Sequence, residues 1–118
     1  LATIMALASS AAFADGDAKK GEKVFKKCAA CHSVEAGKHK IGPSLAGVVG
    51  RKAGSTDFTK YKALKGADFT WDEDTISDWI TNQKDFLKSK GIDSKTAMKI
   101  AIKKEDDRDD VIAYLKAH

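Results

Sequence analysis

The segment Cys28-Ala29-Ala30-Cys31-His32 decides how this chain is read, and the residues before it show how the motif is presented. Ala18, Gly21, Val24, Phe25 and Cys28 recur at spacings of three and four, the apolar stripe of a helix expected from Asp17 to Lys27. That helix delivers two thiols to one helical turn, with an imidazole directly after them. Three common uses of such a pair fit badly. A thioredoxin-like dithiol follows a strand in a βαβ unit, whereas here a helix comes first. A structural zinc site takes four ligands, and only His39 and His118 remain to complete it, at unsuitable spacings. An inert disulfide would close almost no loop and would leave His32 without a role.

What the spacing does suit is covalent attachment of a haem. Two thiols on one turn add to the two vinyl groups, and the adjacent histidine is then placed beneath the iron. The thioethers make attachment permanent, and the neutral imidazole supplies a nitrogen to the metal on the proximal side. One haem c is therefore the expected cofactor, held by Cys28 and Cys31 and ligated by His32.

Bulk properties agree. The chain has 118 residues, 42% of them hydrophobic, enough for one small core. No run approaches the roughly 18 to 20 apolar residues of a membrane-spanning helix, so no membrane insertion is expected. Leu1–Ala14 carries no charge and ends in Ala12-Phe13-Ala14 before Asp15, which reads as the C-terminal part of a secretory signal peptide cleaved after Ala14. A short buried helix is the alternative, but its alanines and serines bury too little area to hold one in place. Export to an oxidising compartment, the bacterial periplasm, is the expectation for the domain 15–118. That domain has few large side chains, and its two cysteines cannot staple it. A bound group is expected to fill its centre.

Two further helices are expected. From Asp72 to Asn82, Asp72 is a cap, acids fill the first turn, and Ile76, Trp79 and Ile80 share a face. From Glu105 to Lys116, acids again come first and Val111, Ile112, Tyr114 and Leu115 form the apolar side. No strand is convincing. Gly37 to Gly54, glycine-rich and holding the only proline, reads as loop wrapped around something. The fold class is thus all-α: three main helices with short helical turns and long loops around one haem. Met98 is the only thioether outside the leader, and the chain between it and His32 is long enough to pass over a haem plane, so it is the expected second axial ligand. A lone methionine often only fills a gap in a core. The rival ligands are His39, close to His32 along the chain, and His118, at a terminus prone to fray.

Taken together, Lys20-Gly21-Glu22-Lys23-Val24-Phe25, the haem motif, Lys38-His39-Lys40-Ile41-Gly42-Pro43-Ser44-Leu45-Ala46-Gly47, Gly50-Arg51-Lys52-Ala53-Gly54, Trp71-Asp72-Glu73-Asp74-Thr75, Thr96-Ala97-Met98 and Ile112-Ala113-Tyr114-Leu115-Lys116 resemble a class I c-type cytochrome, most similar to the bacterial cytochrome c2 group. The resemblance implies further roles. The Pro43 carbonyl accepts the second ring proton of His32. Arg51, Trp71 and Tyr61 hold one haem propionate, and Thr96 holds the other. Trp79 stands where the family usually has a tyrosine near the methionine sulfur, His39 ties a loop, and Gly21 lies where the first and last helices cross. The chain departs from the pattern around the sixth ligand: Lys99-Ile100-Ala101-Ile102 follows Met98, Gln83 replaces a frequent proline, and the stretch from Trp71 to Met98 is long.

With both axial positions filled, the iron has no open site, and a closed site shuttles electrons. The expected function is single-electron transfer between membrane redox complexes, with no catalytic residues. The alternative is a catalytic or gas-binding haem protein, which needs Met98 detached and shows no distal acid–base pair. The formal charge is +4. Lys26, Lys27, Lys40, Lys84, Lys95 and Lys99 are expected near the haem edge, and the acids from Glu105 to Asp110 lie on the last helix. The expected partners are acidic docking faces of membrane complexes: a quinol:cytochrome c oxidoreductase as donor, and a terminal oxidase or photosynthetic reaction centre as acceptor. No basic stripe with interleaved aromatics suggests nucleic acid, and a monomer is expected.

Overall fold

The computed structural model describes residues 16–118; the expected signal segment Leu1–Ala14 lies outside them. Among these described residues there are four helices: α1 (Ala18–Phe25), α2 (Glu73–Thr81), α3 (Gln83–Ser89) and α4 (Glu105–Lys116). Among the described residues the only β-type pairing is an isolated bridge between Lys52 and Thr70. The all-α expectation is met.

The start of α1 is tied down twice. Asp17 accepts from the N–H groups of Lys19 and Lys20, and its own N–H donates to Asp110 of α4 at 2.8 Å. Regular α-helix ends at Phe25, two residues earlier than the periodicity suggested, because the backbone tightens into successive turns. Cys28 N–H donates to the Phe25 carbonyl at 2.7 Å, Cys31 N–H to that of Cys28 at 3.0 Å, and His32 N–H to the same carbonyl at 2.9 Å. The haem motif therefore sits on helical turns that extend α1.

Helix α1 packs chiefly on α4. The approach is close at Gly21, where a Cβ would lie 1.9 Å from the Asp110 carbonyl oxygen and 2.8 Å from Tyr114 Cβ. Beside it the Phe25 and Tyr114 rings pack with centroids 5.3 Å apart. Only glycine permits this crossing.

Helix α2 opens with a capping box. The Asp72 carboxylate accepts from Thr75 N–H, and the Thr75 hydroxyl accepts from Asp72 N–H. Its buried face is Ile76, Trp79 and Ile80. Helix α3 follows after a single extended residue, Asn82, whose side chain caps it by accepting from Asp85 N–H. Past its last residue, Ser89, Gly91 turns the chain with φ +70°; Ile92 N–H donates to the Leu87 carbonyl and Gly91 N–H to that of Lys88, both characteristic of a Schellman turn. Lys104 provides no side-chain cap for α4, but Glu105, Asp106 and Asp107 place negative charge on the exposed N–H groups of its first turn.

The aromatic part of the core joins Phe69, Trp71, Trp79 and Phe86, with ring centroids 4.9 to 5.9 Å apart. It binds α2 and α3 to the strand-like residues before α2. The loop from 37 to 54 is held by polar ties instead. His39 Nδ1 accepts from Ser44 N–H at 3.0 Å, and its Nε2 donates to Asp57 at 2.6 Å. His39 is thus a structural histidine, and this hydrogen bond holds the Asp57 carboxyl below the usual carboxylate range.

Candidate haem-binding site

A cavity of about 450 Å³ lies between the haem motif, the loops and α2. Ligand pockets commonly span about 300 to 1,000 Å³, so this one accommodates a prosthetic group rather than a water. Cys28, Cys31, His32, Pro43, Arg51, Tyr61, Trp71, Thr96 and Met98 all line it. Every site residue expected from the sequence therefore reaches one space, although they come from six separate stretches of chain.

The proximal side is built from the turn after α1 and the loop that returns beneath it. His32 Nδ1 donates to the Pro43 carbonyl at 2.7 Å, which fixes the tautomer and leaves Nε2 as an acceptor. Gly42 makes the approach possible, since a Cβ there would lie 2.4 Å from His32 Cε1. Gly42 N–H also donates to the Cys31 carbonyl, and Lys40 Nζ to that of Ala29, so the loop clamps the motif itself. Burial is the main cause holding the His32 ring below the ordinary histidine pKa; the Pro43 bond works against it, while Arg51 and Lys40 add to it. A neutral imidazole is the form that ligates iron.

The two thiols are not bonded to each other. Burial raises the Cys28 thiol above its ordinary range, the neighbouring Cys31 adds to that, and Lys27 opposes it. Among the described residues no three His, Cys, Asp or Glu side chains are grouped to hold a metal ion.

Arg51 lines the cavity with two of its three guanidinium nitrogens already committed. Its Nη1 donates to the Ala46 carbonyl at 2.8 Å and Nη2 to that of Ser44 at 3.1 Å. Its Nε is buried with no partner. A buried, unpaired guanidinium N–H is costly unless an anion meets it, and burial also pulls the Arg51 pKa down. Trp71 lies beside it, 6% exposed, its backbone N–H donating to the Arg51 carbonyl at 2.9 Å. Tyr61 faces the cavity, but its hydroxyl pairs with Thr56 Oγ1 at 2.6 Å. Thr96 Oγ1 accepts from Met98 N–H at 3.2 Å.

The Met98 side is defined by Trp79, whose indole N–H donates to the Met98 sulfur at 3.2 Å. Three features were not read from the sequence: α3, the Thr56 partner of Tyr61, and the burial and partners of Gln83. Gln83 is buried and bonds to both Trp79 and Ile100. A glutamine in place of a proline was a visible departure, but its two partners were not.

Fold and site define a small all-α c-type cytochrome. Over residues 18–118 the chain matches the cytochrome c family, and it belongs to that family. It is 40% identical over 119 residues to the cytochrome c2 of Rhodospirillum rubrum, covering 95% of this chain and 88% of that protein. It is 42% identical over 125 residues to the cytochrome c2 of Rhodobacter capsulatus, covering 97% and 91%. The solved structure of cytochrome c2 from Rhodospirillum centenum superposes with a TM-score of 0.76 at 36% identity, covering 86% of this chain and 98% of that one. The family carries one covalently attached haem c and serves electron transport, and both cysteines required for the thioethers are present. The residues fit that group: an orphaned Arg51 Nε suits a propionate, the His32 Nε2 suits iron, and the cavity suits the ring.

Proposed function

We propose that this chain is a periplasmic carrier of single electrons between membrane redox complexes, with His32 and Met98 as the axial ligands of its haem. When bound, the haem supplies a one-electron couple that changes charge without changing its ligands. The residues of the chain provide everything else. Cys28 and Cys31 anchor the group, and the Pro43 carbonyl strengthens His32 as a donor. Arg51 offers its free Nε to a propionate, which keeps that charge inside the protein.

The observation that carries this reading is the Trp79–Met98 hydrogen bond, which holds the thioether at the cavity wall. A gas-binding or catalytic haem protein would need that sulfur elsewhere. Among the described residues no helix is long and apolar enough to cross a membrane. The uncharged Leu1–Ala14 segment ending in Ala12-Phe13-Ala14, read as a signal cleaved after Ala14, supports the periplasmic part of this proposal.

Docking is assigned to the cavity mouth. Of the expected lysine ring, Lys27 and Lys99 line the cavity, and Lys60 and Lys62 join them. Rim charges chiefly alter association rates, so an acidic face of a quinol:cytochrome c oxidoreductase or a terminal oxidase would be steered here. The test is the rate of reduction of the holoprotein by membranes containing the quinol oxidoreductase. Lys27→Glu should slow the bimolecular rate several-fold. Asp106→Asn with Asp107→Asn on α4 should change it much less. Raising ionic strength from about 0.01 M to about 0.15 M shortens the screening length from about 30 Å to about 8 Å and should slow the wild type. Equal effects from the two sets would mean that net charge alone matters and the docking face is misplaced.

A further inference from the structure

Gln83 occupies a position its backbone does not require. It is the first residue of α3, and the preceding Asn82 is extended, with φ −165° and ψ 108°. Such a site favours proline, whose fixed φ suits the first helical position and whose missing N–H has no helical partner there. A glutamine buried to 6% exposure is costly at such a site unless both ends of its carboxamide are used.

Both are used. The side-chain Nε2 donates to the Trp79 carbonyl at 2.7 Å, one of the orphan acceptors at the end of α2. The Oε1 accepts from Ile100 N–H at 2.9 Å, across 17 residues. Ile102 N–H then donates to the Ile80 carbonyl at 2.9 Å, and the Ile102 side chain is 2% exposed. The coil after Met98 is thus hung on the last turn of α2 at two successive points, by Gln83 and by Ile80. The same turn carries Trp79, whose indole meets the Met98 sulfur. The Lys99–Ile102 sequence and the glutamine, two departures far apart in the chain, meet in one hydrogen bond.

We propose that Gln83 is a positioning residue for Met98: it fixes the Ile100 backbone two residues beyond the thioether and so holds the sulfur at the iron position against competing ligands. The proposal rests on Met98 being the sixth ligand. Residues 90–104 form no helix or strand, and between Ile92 and Ile102 the hydrogen bonds that tie this segment to the rest of the protein are those of Gln83 to Ile100 and Trp79 to Met98. Ile102 is held by Ile80 and Arg108, so without the carboxamide the sulfur is anchored nearby only by Trp79.

The test uses Gln83→Pro, which the local backbone accommodates, and Gln83→Leu, in the ferric holoprotein. Three quantities are measured: the weak long-wavelength band of methionine sulfur on ferric iron, the dissociation constant for added imidazole, and the exchange rate of the Ile100 amide. In both variants imidazole should bind about tenfold more tightly and the Ile100 amide should exchange about tenfold faster, the size of one buried hydrogen bond. In a Met98→Ala background Gln83→Pro should leave imidazole affinity unchanged, since no sulfur remains to be displaced. A wild type lacking the sulfur band overturns the ligand assignment, and this role with it. A wild type that shows the band, with imidazole affinity within twofold in both variants, overturns only the role of Gln83, as does an unaltered Ile100 exchange rate.

Discussion

The indole N–H of Trp79 points at the Met98 sulfur at 3.2 Å and joins α2 to a coil segment 19 residues further along the chain. An indole only donates, so this bond draws electron density from the sulfur and accepts nothing in return. A sulfur with less density to give supports ferric iron less well than ferrous. Trp79→Phe keeps an apolar ring and removes the donor, and it should lower the reduction potential. The fall should not exceed about 60 mV, the equivalent of one tenfold step in a one-electron couple, because a whole hydrogen bond is worth about 1 kcal/mol. Potentiometric titration reads it, and an unchanged or raised potential contradicts the role given to Trp79.

The crossing of α1 and α4 makes a sharper demand on sequence. A Cβ at Gly21 would meet the Asp110 carbonyl at 1.9 Å, and backbone cannot step aside as a side chain can. Gly21→Ala should destabilise the protein by about 3 kcal/mol, the upper end for overpacking. Gly37 provides the contrast: its φ is +75° with nothing within 4 Å of a Cβ, so Gly37→Ala should cost only the left-handed backbone term, about 1 kcal/mol. Urea unfolding of the holoproteins ranks the two, and a reversed order would refute the close crossing.

The Asp72 cap gives α2 a pH dependence. The Thr75 N–H that donates to its carboxylate is the main cause holding the Asp72 pKa below the usual range. A depressed carboxylate contributes stability in full above its unfolded value, about pH 4, and loses it as pH falls through the lower folded value. Asp72→Ala should therefore cost about 1 kcal/mol at neutral pH. The gap between wild type and variant should hold from about pH 8 to pH 5 and close below about pH 4. Unfolding curves across that range check it, and a gap that widens in acid would contradict the cap.

How much of this was visible in the sequence depended on how far each interaction reaches along the chain. The cap and buried face of α2 and the extent of α4 were legible, because local capping and a 3.6-residue period set them. The haem motif was legible because its chemistry is contained in five consecutive residues. Helix α3 was not: only Phe86 and Leu87 supply large apolar side chains, too few for a periodic stripe, and what secures it is packing on Trp71 and Trp79. Tyr61 could be placed in the cavity, but not its bond to Thr56, since both hydroxyls had other possible partners. Arg51 was assigned from resemblance; its unpaired Nε is visible only once the Ala46 and Ser44 carbonyls have taken the other two nitrogens.

Whether Met98 closes the sixth position is the question on which the electron-carrier reading turns, and carbon monoxide answers it directly. An optical spectrum of the ferrous holoprotein is recorded near neutral pH before and after equilibration with the gas, with Met98→Ala as the positive control. A closed carrier leaves the wild-type spectrum unchanged while the variant binds readily. Rapid binding by the wild type would contradict the account and favour a haem protein that reacts at its iron.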